Sequence, residues 1–114
     1  MKVFCHHIYE LKKGLRNLVL CPEKRENREE IERRLLQEGI PYVIHELGTD
    51  RINVYFGKEH CIRVIETFAT AKLSEISDEQ DFMLGVMLGY DRLQQCERYL
   101  SRRSRREGVD ELIG

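Results

Sequence analysis

Tryptophan is absent from this 114-residue chain, and proline occurs only twice. So little proline excludes polyproline or collagen-like structure, and no Gly/Ser-rich linker or internal repeat divides the sequence. Long hydrophobic runs are missing as well. The longest, Phe82–Tyr90, is far too short to cross a bilayer. The opening, Met1-Lys2-Val3-Phe4-Cys5-His6-His7, has one charge and then too few apolar residues for a signal peptide. A surplus of one charge sign is also lacking: 19 basic residues face 20 acidic ones, for a net charge of −1. No global field for nucleic acid or membrane follows from that balance. Finally, no C-x-x-C, G-x-G-x-x-G, P-loop or G-x-S-x-G motif occurs.

What remains is a chain that is 41% hydrophobic and 34% charged. That composition argues against wholesale disorder. The length predicts one domain, residues 1–114, with a core that needs no disulfide. A cytoplasmic location follows as the expectation, with Cys5, Cys21, Cys61 and Cys96 as reduced thiols that pack as small hydrophobes.

Patterning predicts an α+β domain. Residues 3–11 fit either a short helix or a strand. Phe4, Ile8 and Leu11 favour a helix ending near Gly14. Leu18–Cys21 reads as a buried strand stopped by Pro22. Asn27 and Glu30 suggest a capping box, with Glu29/Arg33 and Glu30/Arg34 as supporting pairs on the helix that follows. Its stripe is Ile31, Leu35 and Leu36, and Gly39 suits its left-handed end. A hairpin follows: Pro41–Leu47, a turn at Gly48–Arg51, and Ile52–Phe56 with Ile52, Val54 and Phe56 on one face. The spacing then predicts a helix over about 58–72 that buries Cys61, Ile65, Phe68 and Ala69.

Ser77 and Gln80 form a further capping-box signal. Beyond it Phe82, Val86, Gly89, Leu93, Cys96 and Leu100 recur in steps of four and three. That pattern predicts one long C-terminal helix with an a/d seam. Phe82–Tyr90 is apolar on every side, and one small chain has little with which to cover it. We therefore expect a homodimer through this helix, with Phe82, Gly85, Val86, Gly89 and Leu93 at the interface. The competing reading is that Gly85 and Gly89 make room for side chains of their own chain, or break the helix. The order strand, helix, strand, strand, helix is a split βαβ arrangement with sheet order 1-3-2. It is ferredoxin-like but incomplete, because no fourth strand is visible, and the open edge needs cover.

Two stretches, Met1–Leu20 (MKVFCHHIYELKKGLRNLVL) and Asp81–Leu100 (DFMLGVMLGYDRLQQCERYL), resemble a small bacterial family known only as a domain of unknown function. The resemblance runs over nearly the whole length. It implies three strands, about five helices and a homodimer. It also implies a genomic neighbourhood that includes a flavodoxin in some members. No site residue comes with it.

Candidates for chemistry are few. Cys5, His6, His7 and Cys21 are ligand types that zinc accepts. Neighbouring helical residues point about 100° apart, however, so this spacing suits one ion poorly. Cys61, beside His60 in a first helical turn, is the one thiol placed for activation; its assignment to the buried face argues against that. Gly57-Lys58 before a helix is a weak anion signal. The charge pattern says more. Residues 74–91 carry five acids and no Lys or Arg. Residues 92–106 carry six arginines and one acid. Acids at a helix start and bases at its end explain much of this. Arg98, Arg102, Arg103, Arg105 and Arg106 could otherwise dock an acidic protein. Phosphates are the rival ligand, but the neutral total and the scarcity of aromatics argue against nucleic acid. The expectation is a non-catalytic, cofactor-free accessory protein whose partners are a second copy and an acidic protein such as a flavodoxin.

Overall fold

The computed structural model describes residues 2–70 and 72–113, with side chains through Arg106. Helix α1 (Lys2–Lys12) leads into strand β1 (Leu18–Lys24). A short 3-10 turn precedes α2 (Arg28–Glu38), which is followed by β2 (Tyr42–Leu47) and β3 (Arg51–Gly57). Helices α3 (Glu59–Glu66), α4 (Asp78–Met87) and α5 (Arg92–Ile113) complete the order. β3 lies between β1 and β2 and runs antiparallel to both, with Leu20 and Val43 each opposite Tyr55. β1 and β2 are thus parallel to each other, as the split βαβ reading requires.

The strand alternation of β3 sorts the core into two layers. Ile52, Val54 and Phe56 meet Phe4, Ile8 and Leu11 of α1 and Ile31 and Leu35 of α2. Phe4 packs edge-on to Phe56, with ring centroids 5.3 Å apart. Tyr55, on the opposite face, is grouped with Ile62 and Ile65 of α3 and Leu84 and Leu88 of α4. Each fully buried large side chain contributes about 1.5–3 kcal/mol. The sheet is therefore covered on both sides by one chain, which the sequence reading did not anticipate.

Several local expectations change. β1 continues through Pro22, because an edge strand can spare the missing N–H on its outer side. Asn27 makes no side-chain cap, since it stands in helical conformation at the end of the 3-10 turn. Its amide instead donates to Glu23 Oε2 at 3.5 Å. The ion pairs of α2 are Arg28–Glu32 and Arg34–Glu38 rather than those built on Glu29 and Glu30. α3 ends at Glu66 and buries Ile62 and Ile65, while Cys61 is half-buried and Ala69 exposed. Gly39 does close α2 in the left-handed conformation, with φ 66°.

The largest correction concerns the C-terminal helix. The seam from Phe82 to Leu100 is not one helix but two. Gly89 adopts φ +86°. Its N–H donates to Val86 O at 3.1 Å and that of Tyr90 to Gly85 O at 3.0 Å. This is the Schellman pattern that ends a helix. Asp91 starts the next helix by accepting the Gln94 N–H on Oδ2 at 2.9 Å. α4 and α5 fold back as an antiparallel hairpin. The sequence also marks residues 107–114 as a fraying tail, because Gly108 and Gly114 stand in a short polar stretch; that expectation lies outside the residues whose side chains are described. No helix among the described residues is long and apolar enough to cross a membrane.

Candidate binding surface on the α4–α5 hairpin

The capping box at Ser77 forms as expected. Ser77 Oγ accepts the Gln80 N–H at 3.0 Å, and Gln80 Oε1 accepts the Ser77 N–H at 3.1 Å. The box places Asp78, Glu79 and Asp81 in the first turn of α4. Across the hairpin the arginines of α5 meet them in mirror order about Tyr90. Arg98 grips Asp81 with two parallel hydrogen bonds, from Nε at 2.8 Å and Nη2 at 3.0 Å. Arg102 bridges two acids, with Nε 2.9 Å from Asp78 Oδ1 and Nη1 2.8 Å from Asp81 Oδ1. Arg106 Nε is 3.1 Å from Asp78 Oδ2, and Arg103 Nη1 is 3.2 Å from Glu79 Oε1. Tyr99 adds a hydroxyl donor to Glu79 at 3.2 Å and stacks obliquely on Phe82.

The acidic run and the arginine run therefore hold one hairpin together; they are not the two ends of a single helix. Asp78 is 3% exposed. Its Oδ1, although close to Arg102, is out of hydrogen-bond alignment and has no hydrogen-bond partner. The forked hydrogen bonds from Arg98, and then the charge of Arg102, hold the Asp81 carboxyl below the usual aspartate range. Folded Asp81 thus binds its proton more weakly than the unfolded chain does. Its contribution is fully present above the unfolded aspartate pKa of about 4 and is lost as pH falls through the lower folded value. Chemical denaturation between pH 6 and pH 3 is expected to show a stability loss that is smaller in Asp81→Asn. Equal slopes in the two proteins would contradict the assignment.

Of the expected interface residues, Gly85 is used within the chain. A Cβ there would collide with the Gln95 side chain, coming within 2.6 Å of its Cδ. The close approach that this glycine allows is between α4 and α5. Gly89 is the turn. Phe82 is half-buried, whereas Val86 and Leu93 are exposed, at 37% and 67%. Leu100 is 65% exposed. Gly85, Leu84, Leu88, Gln95 and Arg98 also line a shallow pocket of about 270 Å³ against Leu20 of β1.

The other candidates separate. Cys5 is exposed on α1, while Cys21 is buried in the core. Burial, and then Glu23, push the Cys21 thiol up to about 11. Among the described residues no three His, Cys, Asp or Glu side chains are grouped to hold a metal. His7 Nδ1 is instead 3.3 Å from Glu10 and 3.2 Å from Arg16. Burial raises the pKa of Cys61, the wrong direction for a nucleophile. The N–H groups of Gly57 and Lys58 are taken by Pro41 O and Asn17 O, so they do not await an anion.

Comparison with family models gives a match over residues 2–102 to the family described as "Protein of unknown function (DUF2023)". The chain belongs to this family. No curated protein matches it. The match to DUF2023 takes in the sheet, both covering layers and the hairpin as far as Arg102, but it brings no assigned chemistry. The arginine row is the feature that sequence reasoning found without seeing its partners. A findable signal was present: Gly89-Tyr90-Asp91 combines a helix-ending glycine with a helix-starting aspartate.

Proposed function

We propose that this DUF2023 member is a non-catalytic, cytoplasmic accessory protein that acts as a homodimer, with the α4–α5 hairpin as its working surface. The observation that carries the reading is an apolar face without cover, Val86, Leu93 and Leu100, next to a row of arginines. Large exposed apolar areas rimmed by charge mark interaction sites. A second copy covers the apolar face. The arginine row docks an acidic protein, and a flavodoxin is the partner that we put forward.

The hairpin narrows which arginines do the docking. Arg102 is turned inward onto two acids, with only 16% of its side chain exposed. Arg98 and Arg106 remain more than half exposed while paired. Arg105 is exposed and has no ion pair among the described residues. Such charges raise the rate of encounter more than they set affinity, and salt screens them.

Titration of the protein with an acidic flavodoxin at low and at high salt tests the docking. Binding is expected at low ionic strength and should weaken by about tenfold or more at high salt. Arg105→Ala combined with Arg103→Ala should slow association without unfolding the chain. Absence of binding at low salt, or binding indifferent to these substitutions, would remove this partner class.

A further inference from the structure

α5 has one stripe that nothing in the described chain covers. Leu93, Cys96 and Leu100 are all exposed and recur at i, i+3 and i+7. Gln95 and Arg102, which face α4, stand two positions on from Leu93 and Leu100. A step of two residues turns about 200° around a helix, so the stripe points away from α4. α5 also outruns its neighbour, with 22 residues against the 10 of α4. The radius of gyration is accordingly 16.0 Å, against roughly 13 Å for a compact chain of this length.

We infer that two copies of the chain pair in parallel along this stripe of α5, with Cys96 of each facing Cys96 of the other across a two-fold axis. The inference rests on the homodimer proposed above and specifies its seam. Charge selects a second copy and the parallel direction. With Leu93 and Leu100 at the a positions and Cys96 at d, the flanking residues are Arg92 and Tyr99 at g and Glu97 and Ser104 at e. In a parallel pair Arg92 of one protomer meets the partner's Glu97, and two-fold symmetry makes that contact twice. An antiparallel pair that layers Leu100 on Cys96 would set Glu97 near Glu97 and Arg92 near Arg106, like against like. The ion pairs of α5 run through Arg98, Arg102, Arg103 and Arg106. Arg92 and Glu97 are thereby left without one among the described residues.

The neighbouring positions agree with this seam. Tyr99 at g lies against Phe82, ring centroids 5.9 Å apart, so the half-buried Phe82 and, one turn on, Val86 extend the apolar margin. The next d position is Arg103, whose guanidinium is drawn onto Glu79. A cation there limits the seam at Leu100.

Oxidative cross-linking of the full chain with copper–phenanthroline, read beside sedimentation equilibrium, tests this. The wild-type protein should give a disulfide-linked dimer mapped to Cys96, lost in Cys96→Ser and kept in Cys5→Ser. Leu93→Asp with Leu100→Asp should be monomeric with an unchanged circular dichroism spectrum. Arg92→Glu should raise the dimer dissociation constant by roughly tenfold, and adding Glu97→Arg should restore it. A dimer that survives Leu93→Asp/Leu100→Asp and does not cross-link at Cys96 overturns the seam but leaves the homodimer standing. Tighter association in Arg92→Glu overturns the parallel direction. A monomeric wild-type chain overturns both the seam and the homodimer.

Discussion

Replacing Arg102 with alanine is expected to destabilise the protein by about 3 kcal/mol, although the residue is not one of the apolar core. The reason is the carboxylate that it faces. Asp78 is 3% exposed, and its Oδ1 has no hydrogen-bond partner even with Arg102 2.9 Å away. Removing the guanidinium leaves Arg106, more than half exposed, as the cation beside that buried charge. Breaking a buried pair from one side costs roughly 3–5 kcal/mol, because the remaining charge stays desolvated. Removing both partners costs less than the two single losses added together. Arg102→Ala, Asp78→Ala and the double variant should therefore show a coupling of more than about 1 kcal/mol in denaturant titrations. Protein concentration must be held equal throughout, because the apparent stability of the proposed dimer depends on it. Additive losses, or a negligible effect of Arg102→Ala, would show that the network does not hold the hairpin.

Gly57→Ala should have the larger effect, about 4 kcal/mol or more, or no soluble protein at all. Gly57 ends β3 opposite Leu18, where β1 begins. It has φ +156°, and an added Cβ would run into Asn17 O and come within 2.9 Å of Leu18 Cα. Both obstacles are backbone. Neither can retreat easily, because the Lys58 N–H donates to Asn17 O at 2.9 Å and the Gly57 N–H donates to Pro41 O at 3.1 Å. One methyl group thus opposes the junction of three strand ends. Gly48→Ala is the matched control. It carries φ +69° with nothing within 4 Å of the added Cβ, so conformational strain of about 1 kcal/mol is all it should suffer. Thermal melting of the two variants should differ widely. A Gly57→Ala protein that melts close to Gly48→Ala would mean that the junction relaxes.

These two positions also show what the sequence makes legible. The β1-β3-β2 order followed from element order and from the alternation of Ile52, Val54 and Phe56, which is a local pattern. Gly39 and the Ser77 box were readable because caps depend on residues three or four apart. Gly57 was readable as the end of a strand, but its closeness to Asn17 was not, since that contact joins segments forty residues apart in the chain. The hairpin was misread for a related reason. Heptad spacing over Phe82–Leu100 is a genuine pattern, and it outweighed the one strong interruption at Gly89. The helix dipole accounts locally for much of the acid and arginine pattern, whereas the structure uses these residues for pairing across a turn. Of the apolar residues that the sequence places at an interface, Val86 and Leu93 are exposed, Phe82 is half-buried, and Leu100 joins the exposed pair. Gly85 and Gly89 serve the fold within one chain, while Val86, Leu93 and Leu100 remain open.

We propose that a second copy of the chain covers this open face. Native mass spectrometry of the full chain at micromolar concentration tests it most directly. A dominant species at twice the 13.6 kDa chain mass is expected, reduced to the single mass by Leu93→Asp with Leu100→Asp. A wild-type protein that remains at 13.6 kDa throughout the micromolar range would contradict it.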